Sequence, residues 1–268
     1  MKLIHLTDLH IAPDDNGTAY EGAANRAARA VDIINADHAD AELCVVTGDI
    51  VYDPDPEAYE LAEQILSKLQ VPVISLVGNH DDRDMAFKAL SSLTLDRDGF
   101  AQCVVKTSGA TCIMLDTKAE GTHAGAFCKK RQDWLDAALN KISGSEPVWI
   151  FLHHAPFPTG LPAMDTIGLS PEDANALGDL LSAHGGVEHL FFGHYHRPMS
   201  GRWRNIAFSA HRSLMLQCAL DLKTQEHVPA VPEEPQFGIV LAQPDLTVVH
   251  YHDFDRDPPD LTLGAAES

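Results

Sequence analysis

Leu43-Cys44-Val45-Val46-Thr47-Gly48-Asp49 is the stretch on which the fold turns. Its apolar residues follow one another without alternation. A strand built from them, over Ala41–Thr47, has both faces covered, as in an α/β sheet flanked by helices. The run then stops at a glycine and a carboxylate, where the backbone can turn and present a charged side chain at the strand end.

The same grammar recurs on either side. Lys2–Thr7 runs into Asp8-Leu9-His10, and Val71–Val77 into Gly78-Asn79-His80-Asp81. Pro147–Leu152 runs into His153-His154, and Val187–Phe192 into Gly193-His194-Tyr195-His196. Helical patterns alternate with these strands at Glu21–Ala36, Pro56–Leu69, Asp84–Leu93, Lys129–Ile142 and Pro171–His184, the last with Ser170 as its cap. β-type segments fill Phe100–Lys106, Thr111–Asp116, Ile206–Ser209, Leu214–Leu222, Phe237–Ala242 and Thr247–Asp253, and His227–Pro235 reads as a Pro-rich connector. The chain is predicted to be α/β.

In open α/β sheets the carboxyl ends of parallel strands face a common crevice, so five strand ends can deliver their polar residues to one place. Side chains two apart on an extended segment point the same way, so Asp8 and His10 can reach one ion, as can His196 beside them. Asp8, His10, Asp49, Asn79, His153, His194 and His196 offer oxygen and imidazole without thiolate. That chemistry suits Mn, Fe, Co or Zn. Seven such donors are more than one ion takes and about what two ions sharing a carboxylate need. Any single histidine or Gly-Asp in this set is more often a packed or turn residue; it is the set of five, in order and each after an apolar strand, that points to a metal centre.

Taken together, DxH, GD, GNHD, H and GHxH over residues 8–196 resemble the signature of the calcineurin-like metallophosphoesterases. The resemblance implies a four-layer αββα sandwich of two mixed sheets flanked by helices. It implies one metal held by Asp8, His10, Asp49 and His196, and another by Asp49, Asn79, His153 and His194, with Asp49 bridging and a hydroxide between the ions as nucleophile. His80 would contact the substrate phosphate or protonate the leaving group, and Asn79 would share in substrate binding. The segments TDLH, VVTGDIV, LVGNHDDR, FLHHAPFP and FFGHYH are similar to the class III cyclic-nucleotide phosphodiesterases and the bacterial glycerophosphodiesterases. The implied reaction is hydrolysis of small phosphodiesters. A phosphomonoesterase or nucleotide pyrophosphatase on the same core is the nearest alternative, and a catalytically inactive scaffold the alternative of another class. Protein phosphatases carry GDxxDRG and GNHE, whereas here Asp49 is followed by Ile50-Val51-Tyr52-Asp53-Pro54 and His80 by Asp81.

Residues around the motifs are read more plainly. Asp81 is expected to orient His80 or a loop, and His154 to support rather than bind metal. Tyr20 is a candidate substrate contact. Tyr195 is expected to pack, and His211 and His123 read as ordinary loop or strand residues.

Composition bounds the partners. Lys plus Arg number 19 against 39 for Asp plus Glu, a formal charge of −20, which disfavours long nucleic acid. The five cysteines are scattered and contain no CxxC, against a disulfide framework or zinc-thiolate site. With no apolar run of about 18 residues and no leader-like start, a cytoplasmic protein is expected. Residues 1–255 read as the metallophosphoesterase domain, with a small β cap or oligomerisation element within 197–236 that would serve a homo-oligomer, dimer or larger. Residues 256–268 read as a flexible tail.

Overall fold

In chain order the elements are β1 (Lys2–Leu6), α1 (Ala23–Asp37), β2 (Leu43–Val46), α2 (Pro56–Leu66), β3 (Val73–Ser75), α3 (Arg83–Ala89), β4 (Cys103–Lys106), β5 (Thr111–Met114), α4 (Lys129–Leu139), β6 (Val148–Leu152), α5 (Pro162–Asp165), α6 (Pro171–His184), β7 (Val187–Phe192), β8 (Met199–Trp203), β9 (Ile206–Ala210), β10 (Gln217–Cys218), β11 (Ala230–Val231), β12 (Gln236–Gln243) and β13 (Leu246–Asp253). The structure is a computed structural model that describes residues 1–13 and 22–255. Tyr20 and the predicted tail at 256–268 lie outside the described residues.

One sheet has the order β13-β12-β1-β2-β3 and the other β4-β5-β6-β7-β9-β8. β1, β2 and β3 run parallel, as do β5, β6, β7 and β9. Antiparallel strands complete both sheets: β12 and β13 beyond β1, and β4 and β8 at the edges of the other.

The unbroken apolar runs are explained by three apolar layers. Leu43 and Val45 of β2 lie with Leu3, Trp149, Phe151 and Phe191 in a layer between the sheets. Cys44 and Val46, on the other face of β2, pack with α1 and α2 through Ala30, Ile34, Ala62 and Ile65. Ile150 and Leu152 of β6 face α4 and α6 through Leu135, Leu139, Leu177 and Leu181. The layers are therefore helix, sheet, sheet, helix. The helices start where local chemistry says: Asp55 accepts hydrogen bonds from the amides of Glu57 and Ala58 ahead of α2, and Ser170 from that of Asp173 in α6.

Some expectations need correcting. Leu214–Leu222 is not a strand; only Gln217–Cys218 is extended, paired with Ala230–Val231 inside the Pro-rich connector. The hairpin partner β8 had no signal, because its turn residues Arg204 and Asn205 take positive φ (49° and 67°) without a glycine. α3 stops at Ala89 rather than Leu93, and α5 went unread because it has only four residues.

Candidate metal centre

Three strand ends of one sheet and two of the other meet. Asp8 and His10 follow β1, Asp49 follows β2, and Asn79 and His80 follow β3; His153 follows β6, and His194 and His196 follow β7. The backbone there is not extended, contrary to the alternation argument. Among the described residues seven non-glycine residues have positive φ, and five are Asp8 (53°), His10 (48°), Asp49 (49°), His194 (70°) and His196 (46°). Left-handed turns, which L-residues adopt at a cost of about 1–3 kcal/mol each, aim these side chains inward. Gly48 takes φ 98° as expected of a turn glycine, but Gly193 is there for space: a Cβ would stand 2.0 Å from Thr7 Oγ1 and 2.7 Å from Asp8 Oδ2.

The donor atoms of Asp8, His10, Asp49 and His196 all lie within 4.8 Å of one another. His10 Nε2 is 3.0 Å from His196 Nε2, His196 Nε2 is 3.4 Å from Asp8 Oδ1, and His10 Nε2 is 3.8 Å from Asp49 Oδ2. On the other side His153 Nε2 is 3.3 Å from Asp49 Oδ2 and 3.1 Å from Asn79 Oδ1. Two donors bonded at about 2.1 Å to one ion stand roughly 3.0–3.4 Å apart, so this spacing fits shared cations. His194 Nε2 is buried without a hydrogen-bond partner among the described residues, a costly state for a polar atom that a metal would relieve. The residues present therefore fit a metal pair, with Asp49 between the two groups.

Outer contacts fix the rings. His153 Nδ1 donates to the Thr47 carbonyl (2.8 Å) and His196 Nδ1 to that of Leu216 (2.7 Å), leaving Nε2 of each turned to the centre. His153, His154 and His194 also form a group of potential donors. Yet Nδ1 of His154 is 2.9 Å from Thr117 Oγ1 and its Nε2 is 3.2 Å from the His123 carbonyl, so both its nitrogens have partners away from the centre. We favour His153 as the inward donor.

Charge is divided unevenly. Burial holds His10 and His194 down at about 3, so both are neutral at pH 7. Burial also opposes charge on His153, but the Asp49 carboxylate outweighs it and pushes the ring up to about 9; Asp8 likewise raises His196. Asp8 and Asp49 are lowered in turn, their burial overcome by these imidazoles. Cations entering the centre would take over the role of those protons.

The surrounding residues divide into those facing the cleft and those behind it. His80 lines a cavity of about 240 Å³ with His10, Asn79 and His194. Its Nδ1 donates to the Tyr52 carbonyl (2.7 Å), its backbone amide to Asp49 Oδ1 (2.8 Å), and its ring stacks on Tyr52. Asp81 accepts from the amides of Gly78, Ile50 and Val51, tying two ligand loops together. Tyr195 is buried in the layer under α6, and His211 is buried against His5. His123, read from sequence as a solvated loop residue, is indeed exposed, and it also lines the cavity, with Nδ1 2.8 Å from Asn79 Nδ2. Thr7 and Thr47, behind Asp8, carried no signal of their own.

Fold and site define a two-sheet metallophosphoesterase. Residues 1–198 match the calcineurin-like phosphoesterase family, and the chain belongs to that family. It is 36% identical over 98% of its length to a probable cyclic nucleotide phosphodiesterase of Rhodopseudomonas palustris, covering 96% of that protein. It is 29% identical over 72% of its length to a probable glycerophosphodiester phosphodiesterase of Arcobacter nitrofigilis, covering 71% of it. Among solved structures a dimetal phosphatase from Danio rerio superposes with TM-score 0.72 at 17% identity, covering 94% of this chain and 95% of that one, a likeness of fold.

Proposed function

We propose that this chain is a metal-dependent phosphodiesterase that hydrolyses small phosphodiesters, cyclic nucleotides or glycerophosphodiesters among them. The observation that carries the reading is the convergence of Asp8, His10, Asp49, Asn79, His153, His194 and His196 on one buried spot beside an open cavity. The names of the relatives support it. Asp8, His10, Asp49 and His196 would hold one ion, and Asp49, Asn79, His153 and His194 the other. The donor set suits Mn, Fe, Co or Zn.

When bound, such a pair supplies Lewis-acid stabilisation of the phosphate and makes water nucleophilic at neutral pH. The chain's own residues do the rest. Asn79 and His80 border the cavity where the phosphate docks, and the Tyr52 carbonyl holds His80 Nδ1 so that its other nitrogen is free to serve the departing oxygen. The far wall is apolar, with Met164, Ile167, Leu216 and Val228, and no Lys or Arg lines this cavity among the described residues. A singly charged diester suits it better than a doubly charged monoester, whose second charge finds no further cation. The short β10–β11 ribbon contributes Gln217, Cys218 and Ala230 to the rim and is the candidate cap.

Among the described residues no helix is long and apolar enough to cross a membrane. The free cysteines are consistent with a reducing compartment, and we place the enzyme in the cytoplasm.

Manganese-loaded protein should hydrolyse bis(4-nitrophenyl) phosphate faster than 4-nitrophenyl phosphate, and exhaustive chelation should abolish both activities. Full activity after chelation would end the reading; a preference for the monoester would replace diesterase with phosphomonoesterase.

A further inference from the structure

We propose that His123 is a positioning residue of the metal and substrate site, acting through the Asn79 side chain. The inference rests on the dimetal reading above and extends it to a residue outside the five motifs.

Asn79 must present its carbonyl oxygen, not its amide nitrogen, to a cation. The two ends of an amide are nearly the same shape, so something has to choose between them. Nothing within the GNHD segment makes that choice. His123 does: its Nδ1 lies 2.8 Å from Asn79 Nδ2 and accepts the amide proton. That leaves Asn79 Oδ1 directed at the centre, 3.1 Å from His153 Nε2.

The loop carrying His123 is held to do this. The His123 carbonyl accepts from His154 Nε2 (3.2 Å), so the second histidine of the His153-His154 pair anchors the loop while the first faces the metals. Gly125 lies against the His154 ring, where a Cβ would come within 2.8 Å of it. At the loop's start Arg83 and Arg131 both donate to the Lys118 carbonyl, and Asp116 receives both guanidiniums. A loop with only a solvent-facing role has no need of two arginines and a buried histidine. The His123 and His80 rings stand 5.1 Å apart. Both line the cavity at the centre and an adjoining one of about 290 Å³ bordered by Tyr52, Asp53 and Lys118. His123 thus also borders the space through which an ester arm reaches the metals.

The test is a manganese titration of metal-stripped protein by calorimetry, with kcat and KM on bis(4-nitrophenyl) phosphate and a melting curve for each variant. His123→Ala should leave the melting temperature and the tighter metal step unchanged. It should weaken the other step about tenfold or more, the range of outer-shell substitutions, and raise KM at saturating manganese. His123→Asn, whose Oδ1 can accept in place of Nδ1, should recover metal binding but not KM. Two wild-type-like metal steps and an unchanged KM in a folded His123→Ala protein would overturn the inference and leave the dimetal reading intact. Equal weakening of both steps would also overturn it, since the loss would then not run through Asn79. Wild-type protein that takes up no pair of ions would overturn both.

Discussion

Asp8 is the most deeply supported donor of the centre, and its support runs backward into the protein. Thr7 Oγ1 donates to Asp8 Oδ2 (2.7 Å), Thr47 Oγ1 donates to Thr7 Oγ1 (2.8 Å), and His5 Nε2 lies 2.9 Å from Thr47 Oγ1. Because the Thr47 proton is directed to Thr7, His5 is the donor at the end of the chain. Every proton points toward the carboxylate, and each bond polarises the next. Thr7→Val should therefore weaken manganese binding at the Asp8 site by about tenfold, while Thr7→Ser, which keeps the hydroxyl, should behave as wild type in the same titration. An equal effect of both substitutions would mean that the methyl group, not the donor, matters. At this scale the inward donors were legible, because carboxylates and imidazoles after apolar strands have few other reasons to cluster. Thr7, Thr47 and His123 were not. A threonine in a strand is unremarkable by itself, and the partner that gives His123 its role, Asn79, is 44 residues away in sequence.

Strand ends rather than strands make the site, and they do so by departing from regular structure. The expectation that Asp8 and His10 share a direction by extended alternation reached the right pairing through the wrong geometry, since both residues sit in left-handed turns. Sequence carries little trace of such turns when they fall on Asp and His instead of Gly. What it does carry is the glycine needed for close approach. Gly193 sits against Thr7 and Asp8, so Gly193→Ala forces the loop after β7 away from the loop after β1. It should destabilise the protein by about 1–3 kcal/mol, as overpacking does, and weaken metal binding by tenfold or more. Gly99→Ala, where nothing lies within 4 Å, is the control. Its positive φ of 84° gives it a backbone cost of its own, but metal binding should be unchanged. Urea unfolding and manganese titration of the two variants separate strain from loss of the site. Equal metal affinity in both would refute the packing argument. Short elements escaped the sequence for a related reason: the β8–β9 hairpin turns on Arg204-Asn205, and β10 and β11 have two residues each, too few to show a period.

Across the whole molecule the two-sheet stack was implied by resemblance and is explained by the three apolar layers, because only double coverage accounts for runs such as Leu43–Val46. Periodicity could not assign those strands to two sheets, since a fully buried run looks the same in either. The middle layer has one more consequence, because histidines are built into it. His189 of β7 is stacked on Phe191 at 4.2 Å, its Nε2 2.7 Å from Ser209 Oγ, and burial lowers it to about 4. In the unfolded chain the same imidazole titrates near 6.5. Between those values the unfolded state holds a proton that the native state excludes, so stability falls as pH drops through about 6.5 and the loss is complete only below about 4. The slope approaches about 1.4 kcal/mol per pH unit for one such group, on the order of 3 kcal/mol in total. His5, lowered well below its ordinary value chiefly by burial, and His211, lowered to about 4 by the same cause, act in the same direction. His189→Gln keeps a donor for Ser209 but cannot be protonated. Unfolding free energies from urea titration at pH 7.5, 6 and 5 should fall less steeply for this variant than for wild type, and the acid loss common to the metal centre cancels in the comparison. Parallel profiles would show that His189 takes up its proton in the native protein as readily as in the unfolded chain and that the layer between the sheets admits its charge.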